Sequence, residues 1–226
     1  QSGSDAGGME KDRVRIGQVY SHLNGLEFLM VHKKRLWDEI QGAIQKVDAK
    51  KAFDKISKEK TMVGRILYSP SKLNKLFKAE FSKNSWDEVR TAYFVNEDLQ
   101  TTRETVDIRD KEVQKQAIID RGFTAFNTYN QVDFVKDRVA VEVQFGKYFS
   151  VQYDLHVKHT FFYERGDIDV GIEIIPMHSL MSQMSSGVAW YENELTNIVR
   201  EGRSNPSVPI VLIGVEPELP GIVQAN

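Results

Sequence analysis

From position 138 to 145 the chain alternates strictly in a period of two. Val139, Val141, Val143 and Phe145 fall on one face, and Ala140, Glu142 and Gln144 fall on the other. A helix would scatter these side chains around its axis, so the stretch fixes a β-strand. An apolar row on a single face predicts a half-buried one. The facing row holds a carboxylate and an amide two residues apart, roughly 6–7 Å along the strand. Just upstream, positions 132–135 form a second extended run ending at the turn-prone pair Lys136-Asp137. Closing the two runs as a hairpin brings Asp133 beside Glu142 on the polar face. Two carboxylates with a polar neighbour at the end of a sheet make a hard oxygen site suited to magnesium. An exposed edge strand followed by a turn would carry the same residues, so spacing alone leaves both readings open.

The rest of the chain supplies partners for that hairpin. Positions 13–20 read as a short strand, with a turn at Asn24-Gly25. Leu29, Leu36, Ile40, Ala43, Ile44 and Val47 recur at helical spacing, with Trp37 widening the apolar side. Positions 49–61 are lysine-rich and weakly patterned, as in a helix end and loop. Ser69-Pro70 opens a helix whose stripe is Leu73, Leu76, Phe77 and Phe81. Positions 86–95 have strand character, and 107–120 read as a helix. Beyond the hairpin, 149–163 is helical, with Phe149, Tyr153, His156, Val157 and Phe161 near helical spacing and Gly166 as a stop. Positions 169–175 alternate as a strand closed by Pro176. Positions 188–200 form an amphipathic helix on Trp190, Leu195, Ile198 and Val199. The continuous apolar run 209–215 suits a central strand buried on both faces. From position 132 the order is β-β-α-β-α-β, preceded by several helices. This predicts an α/β (α+β) single domain, a mixed central sheet flanked by helices. Residues 1–8, Q-S-G-S-D-A-G-G, read as an appended remnant, and the domain is expected over 9–226, starting near Met9.

Charge divides that domain more than its formal net value of −2 suggests. Between Lys46 and Lys83 there are eleven Lys or Arg against four Asp or Glu, while from Phe126 onward there are seven against thirteen. A cationic segment beside an acidic site is what DNA cleavage needs, although a lysine-rich helix can simply be solvated. Residues 9–125 are expected to be mainly helical and basic, and 126–226 to hold the acidic pair. The absence of cysteine excludes disulfides, zinc–thiolate sites and thiol nucleophiles, and fits a reducing cytoplasm. No apolar run approaches the roughly 20 residues of a membrane span, and no secretory leader is recognisable. His156 and His159 lie three apart without a third ligand, so core or surface roles are expected for them.

Asp133, then Glu142 nine positions on, then Gln144 two further, resembles the layout of the PD-(D/E)xK nucleases. The stretches V-Y-S-H-L-N-G-L-E, I-L-Y-S-P, V-D-F-V-K-D-R-V-A-V-E-V-Q-F-G-K-Y, M-S-S-G and V-L-I-G extend the likeness over nearly the whole chain. They are similar to the BglII/BamHI-like branch of type II restriction endonucleases. Two departures from the general pattern stand out. Val132 replaces the proline of the motif, which is a backbone detail. Gln144 replaces its lysine, which is a chemical one: a lysine can stabilise or deprotonate the attacking water, whereas a neutral amide can only orient it. The branch it resembles carries the same glutamine.

The resemblance implies a restriction-endonuclease-like core and Mg2+-dependent hydrolysis of double-stranded DNA. It implies residues 9–125 as the dimer- and DNA-contacting part and 126–226 as the catalytic and recognition part. It implies Asp133 and Glu142 as metal-binding carboxylates, the main-chain carbonyl of Val143 as a further ligand, and Gln144 as the residue that positions the nucleophile. It further implies a homodimer cutting a palindrome centred on GATC, with purine-GATC-pyrimidine as the expected site and 5′ overhangs as the product. A DNA methyltransferase is the expected genetic partner. Lys147 matches a position that reads the major groove, where its amine can donate to guanine O6 and N7. Ser185 and Ser186 match a recognition loop, Asn127 and Asn130 are candidates to line the site, and Asn130 is expected with Lys147, Ser185 and Ser186 among the DNA-binding residues. Three alternatives remain at this level: a structure-specific nuclease of the same fold, a catalytically inactive DNA-binding protein, and a protein-interaction module.

Overall fold

The alternating stretch sits in the interior of a six-stranded sheet. The computed structural model describes residues 12–218; the expected remnant at 1–8 and the start near Met9 lie outside them. The chain runs β1 (Val14–His22), α1 (Gly25–His32), α2 (Lys34–Lys46), a 3-10 turn (Ala49–Ala52), β2 (Phe53–Ile56), β3 (Ile66–Tyr68), α3 (Pro70–Ser82), β4 (Asp87–Val95), α4 (Leu99–Thr105) and α5 (Lys111–Asp120). It continues through β5 (Phe126–Lys136), β6 (Val139–Val143), α6 (Tyr148–Tyr153), a π-helical turn (Asp154–Lys158), α7 (His159–Glu164), β7 (Val170–Pro176), α8 (His178–Met181), α9 (Tyr191–Glu201) and β8 (Ile210–Pro217). The strand order is β1-β8-β7-β6-β5-β4. β6, β7 and β8 are parallel, whereas β4, β5 and β1 run antiparallel to their neighbours. The sheet is mixed and draws its two edge strands from the N-terminal half. β2 and β3 form a separate two-stranded ribbon.

Each face has its own cover. Val139, Val141, Val143, Ile172, Ile174, Val211 and Ile213 pack under α1, α2 and α3, against Leu29, Ile40, Ile44, Leu73, Phe77 and Phe81. Ser69 caps α3 by accepting the amide of Lys72, and Pro70 takes its first turn, as the sequence predicts. The other face lies under the α6–π–α7 helix and α9, with Leu155, Phe162 and Ile198 buried there. β6 is therefore buried on both faces and not half-buried, because the helix that follows it folds back over the row that looked solvated. That helix also turns opposite to its apparent stripe. Phe149, Tyr153 and Val157 are exposed, while Val151, Leu155, His159 and Phe162 face the sheet. Three further expectations change. The long helix over Leu29–Val47 breaks at Lys33 (φ −135°) into α1 and α2. Positions 49–61 contain β2, and Val199 of α9 points to solvent.

The β5–β6 connection is a two-residue loop, Asp137-Arg138, with both residues at positive φ (44° and 66°). That is the hairpin turn whose twist matches the strands, formed here without glycine. An arginine in the left-handed region is strained, and its contacts hold it there. Arg138 donates through Nε (3.0 Å) and Nη2 (2.6 Å) to the two carboxylate oxygens of Asp169 and through Nη1 to the Gly166 carbonyl. Asp137 is held in turn by Arg35. The hairpin that carries the acidic pair is thus fastened to both helical layers.

Candidate active site

Phe134 pairs with Val141 and Val135 with Ala140. The same ladder, continued one step, sets Asp133 opposite Glu142. The pairing of β4 with β5 shifts between Asp87–Val135 and Val89–Val132, so Asp133 and Phe134 together face Glu88. Such a bulge re-aims a side chain, and bulges concentrate beside active sites. The Asp133 carboxylate accepts the amide of Val143 at 3.4 Å, which places it next to the Glu142–Val143 peptide. Glu142 is in register with Glu173 on β7. Three carboxylates therefore cross β5, β6 and β7 in one row.

The helix above the row completes the cluster. Lys158 Nζ lies 3.0 Å from Glu142 Oε1 and 2.7 Å from Asp154 Oδ1. Gln144 donates from Nε2 to Asp154 Oδ2 (3.3 Å) and accepts the Gly146 amide on Oε1 (2.9 Å). An amide has two N–H groups and two lone pairs, so Gln144 keeps one of each for a water. Asp154 and Lys158 bound a π-helical turn, a local widening that recurs at functional sites. Below them, His159 Nε2 approaches Glu173 Oε2 at 3.4 Å, and both side chains are fully buried.

Burial and crowding set the electrostatics. Removal from water raises the Glu142 carboxyl well above its ordinary range, and the negative charges of Asp154 and Asp133 push the same way against Lys158. Burial also raises Asp154 and, reinforced by Asp154 and Glu142, Glu173. Lys158 is opposed by its own burial, yet Glu142 and Asp154 hold it firmly protonated. Ionised together, Asp133, Glu142 and Asp154 would outnumber the one amine, and the raised carboxyls of Glu142 and Asp154 reflect that unmet negative charge as well as burial. Among the described residues, no group of three or more His, Cys, Asp or Glu side chains is arranged to hold a metal ion. Magnesium needs no such cage, since it commonly binds one or two carboxylates and keeps several waters. Its oxygen chemistry and charge fit Asp133, Glu142 and the Val143 carbonyl.

A second group forms beyond the strand. Lys147 bridges to Val188, and Tyr148 N–H donates to the Gly187 carbonyl at 3.0 Å, so Lys147 and the loop of Ser185 and Ser186 are brought side by side. The β2–β3 ribbon docks on the same loop. Tyr68 N–H donates to Gln183 O (2.9 Å), Lys55 Nζ donates to Ser185 Oγ, and the Ser186 amide donates to Glu59 Oε1 (3.0 Å). Asn130 lies elsewhere. It is buried, with its carbonyl accepting from Tyr153 Oη (2.9 Å) and its amide donating to Tyr93 Oη (3.4 Å). Asn127 is exposed on β5. Sequence reasoning missed Asp154, Lys158, Glu173, Lys55 and Glu59. For the first two, a signal was available: an acid–base pair at i,i+4 on the helix directly after the motif strand.

The family described as "Restriction endonuclease BglII/BglIII" matches residues 17–215. The chain belongs to this family and is a type II site-specific nuclease that cleaves DNA. Among solved structures it is similar to BglII complexed with a DNA 16-mer, with 18% identity and a TM-score of 0.57 over 89% of this chain and 75% of that one. Free BglII matches at 17% identity and a TM-score of 0.49, over 89% and 78% of the two chains. A comparison with curated protein sequences gave no match.

Proposed function

We propose that this nuclease acts as a homodimer on a palindrome centred on GATC, purine-GATC-pyrimidine, using Mg2+ and leaving 5′ overhangs. The observation that carries the reading is the opposition of Asp133 and Glu142 across the β5–β6 hairpin in a chain of this family. Asp133, Glu142 and the Val143 carbonyl would hold the ion. When bound, it lowers the pKa of a water and stabilises charge on the scissile phosphate. Gln144, steadied by Asp154, orients the nucleophile with its remaining N–H and lone pair. Lys147 donates to guanine in the major groove, and the hydroxyls of Ser185 and Ser186 read neighbouring base edges.

A two-fold protein matches a two-fold site. The exposed apolar row Tyr148, Phe149, Tyr153 and Val157, beside Lys147, favours a second subunit on that side, in addition to the dimer contacts expected of residues 9–125. The expected setting is the cytoplasm, with a methyltransferase protecting the host's own sites; among the described residues no helix is long and apolar enough to cross a membrane. The test uses labelled duplexes that share GATC and differ in the outer pair, incubated with and without Mg2+. The expected result is metal-dependent cutting of purine-GATC-pyrimidine duplexes with four-base 5′ ends. Cutting at unrelated sequences, or equal cutting with the ion chelated, would overturn the reading.

A further inference from the structure

Position 144, where the general nuclease motif has lysine, carries a neutral amide, yet the cluster around it contains an amine. Lys158 reaches Glu142 at 3.0 Å from the helix that roofs the sheet, and Asp154 fixes it at 2.7 Å from one turn earlier. Its side chain is 19% exposed, so it is neither sealed in the core nor free on the surface. An ammonium has three N–H groups. Glu142 and Asp154 take two, leaving one for a water or a phosphate oxygen. Asp154 also holds Gln144, so one carboxylate spaces the amide and the amine within a single hydrogen-bonded group. The π-helical turn between Asp154 and Lys158 is the local device that puts both over the strand.

We propose that Lys158 is a catalytic residue that supplies from the helix the cation which strand position 144 lacks. Its free N–H stabilises the attacking water and the charge developing on the phosphate, and its other two hold Glu142 and Asp154 in place. This inference rests on the proposed magnesium-dependent cleavage and adds a residue to that site.

The test is single-turnover and steady-state cleavage of a GATC duplex with Mg2+ by wild type, Lys158→Met, Lys158→Arg and the relocated pair Lys158→Met with Gln144→Lys. Circular dichroism and thermal melting accompany each. We expect Lys158→Met to lower kcat on the order of a hundredfold with KM nearly unchanged, as for loss of a positioned transition-state donor. Lys158→Arg should retain more activity than Lys158→Met, and the relocated pair should recover about tenfold over Lys158→Met. A purely packing role would not be rescued by moving the amine to the strand. If Lys158→Met does not fold, the relocated pair, which keeps the net charge, decides: folded and active supports the inference, folded and inactive overturns it. Cleavage by Lys158→Met within threefold of wild type would also overturn it. Failure of the wild type to cut any duplex would instead reject the parent reading.

Discussion

Glu173 and His159 show how closely individual ionisations are bound up with this fold. Both are fully buried, and Glu173 Oε1 and His159 Nδ1 have no hydrogen-bond partner among the described residues. Burial, then the charge of Lys158, pushes His159 down to about 3, so it is neutral at ordinary pH. Burial, then Asp154 and Glu142, raises Glu173. A carboxyl raised in the folded state holds its proton more tightly there than in the unfolded chain. Its contribution to stability is therefore complete at low pH and is lost as pH rises from the unfolded value, about 4.3, through the folded one. Glu173→Gln removes that loss. Urea unfolding should show the variant gaining stability relative to wild type as pH rises to 8, with the difference shrinking toward pH 4; parallel curves at all pH values would contradict the assignment. The acidic pair itself was legible in the sequence, because a period-two strand and a nine-residue offset place Asp133 against Glu142. Glu173 was not, since its approach depends on how a third strand packs, and the i,i+4 spacing of Asp154 and Lys158 marks the pair without encoding that their helix folds back over the strand.

At the scale of elements, the hairpin is held from behind by one aromatic layer. Phe81 of α3 stacks on Phe134 with centroids 4.7 Å apart and meets Trp86 edge-on at 5.7 Å. Phe134 is the residue after Asp133, so this layer supports the bulge that aims the carboxylate. Phe81→Ala should cost about 3–5 kcal/mol in chemical unfolding; a loss under about 1 kcal/mol would mean that the layer is not what seats the hairpin. The stripe of Leu73, Phe77 and Phe81 was readable because α3 faces the core with its most apolar side. The α6–α7 helix misled for the opposite reason. Its aromatic stripe is on the outside, and its inner face carries Asp154, Lys158 and His159. A polar inner face is the mark of a helix that covers a site, and apolar periodicity alone points the wrong way there.

For the whole molecule, the charge asymmetry read from composition becomes a spatial relation. Lys50, Lys51, Lys58, Lys60 and Arg65 are exposed around the β2–β3 ribbon, and that ribbon is hydrogen-bonded to the loop of Ser185 and Ser186 beside Lys147. Positive charge of the kind that positions phosphates thus adjoins the groups proposed to read bases. Glu142, the middle carboxylate of the acidic row, lies on β6, the strand that leads directly into Lys147. The most direct test of this arrangement is digestion of a methyl-free plasmid of known sequence with Mg2+, comparing wild type with Asp133→Ala. The account predicts discrete wild-type fragments whose ends map to GATC-centred palindromes. It also predicts at least about a thousandfold slower cutting by the variant, as expected from losing several kcal/mol of transition-state stabilisation. Fragments unrelated to GATC, or undiminished cutting by Asp133→Ala, would contradict it.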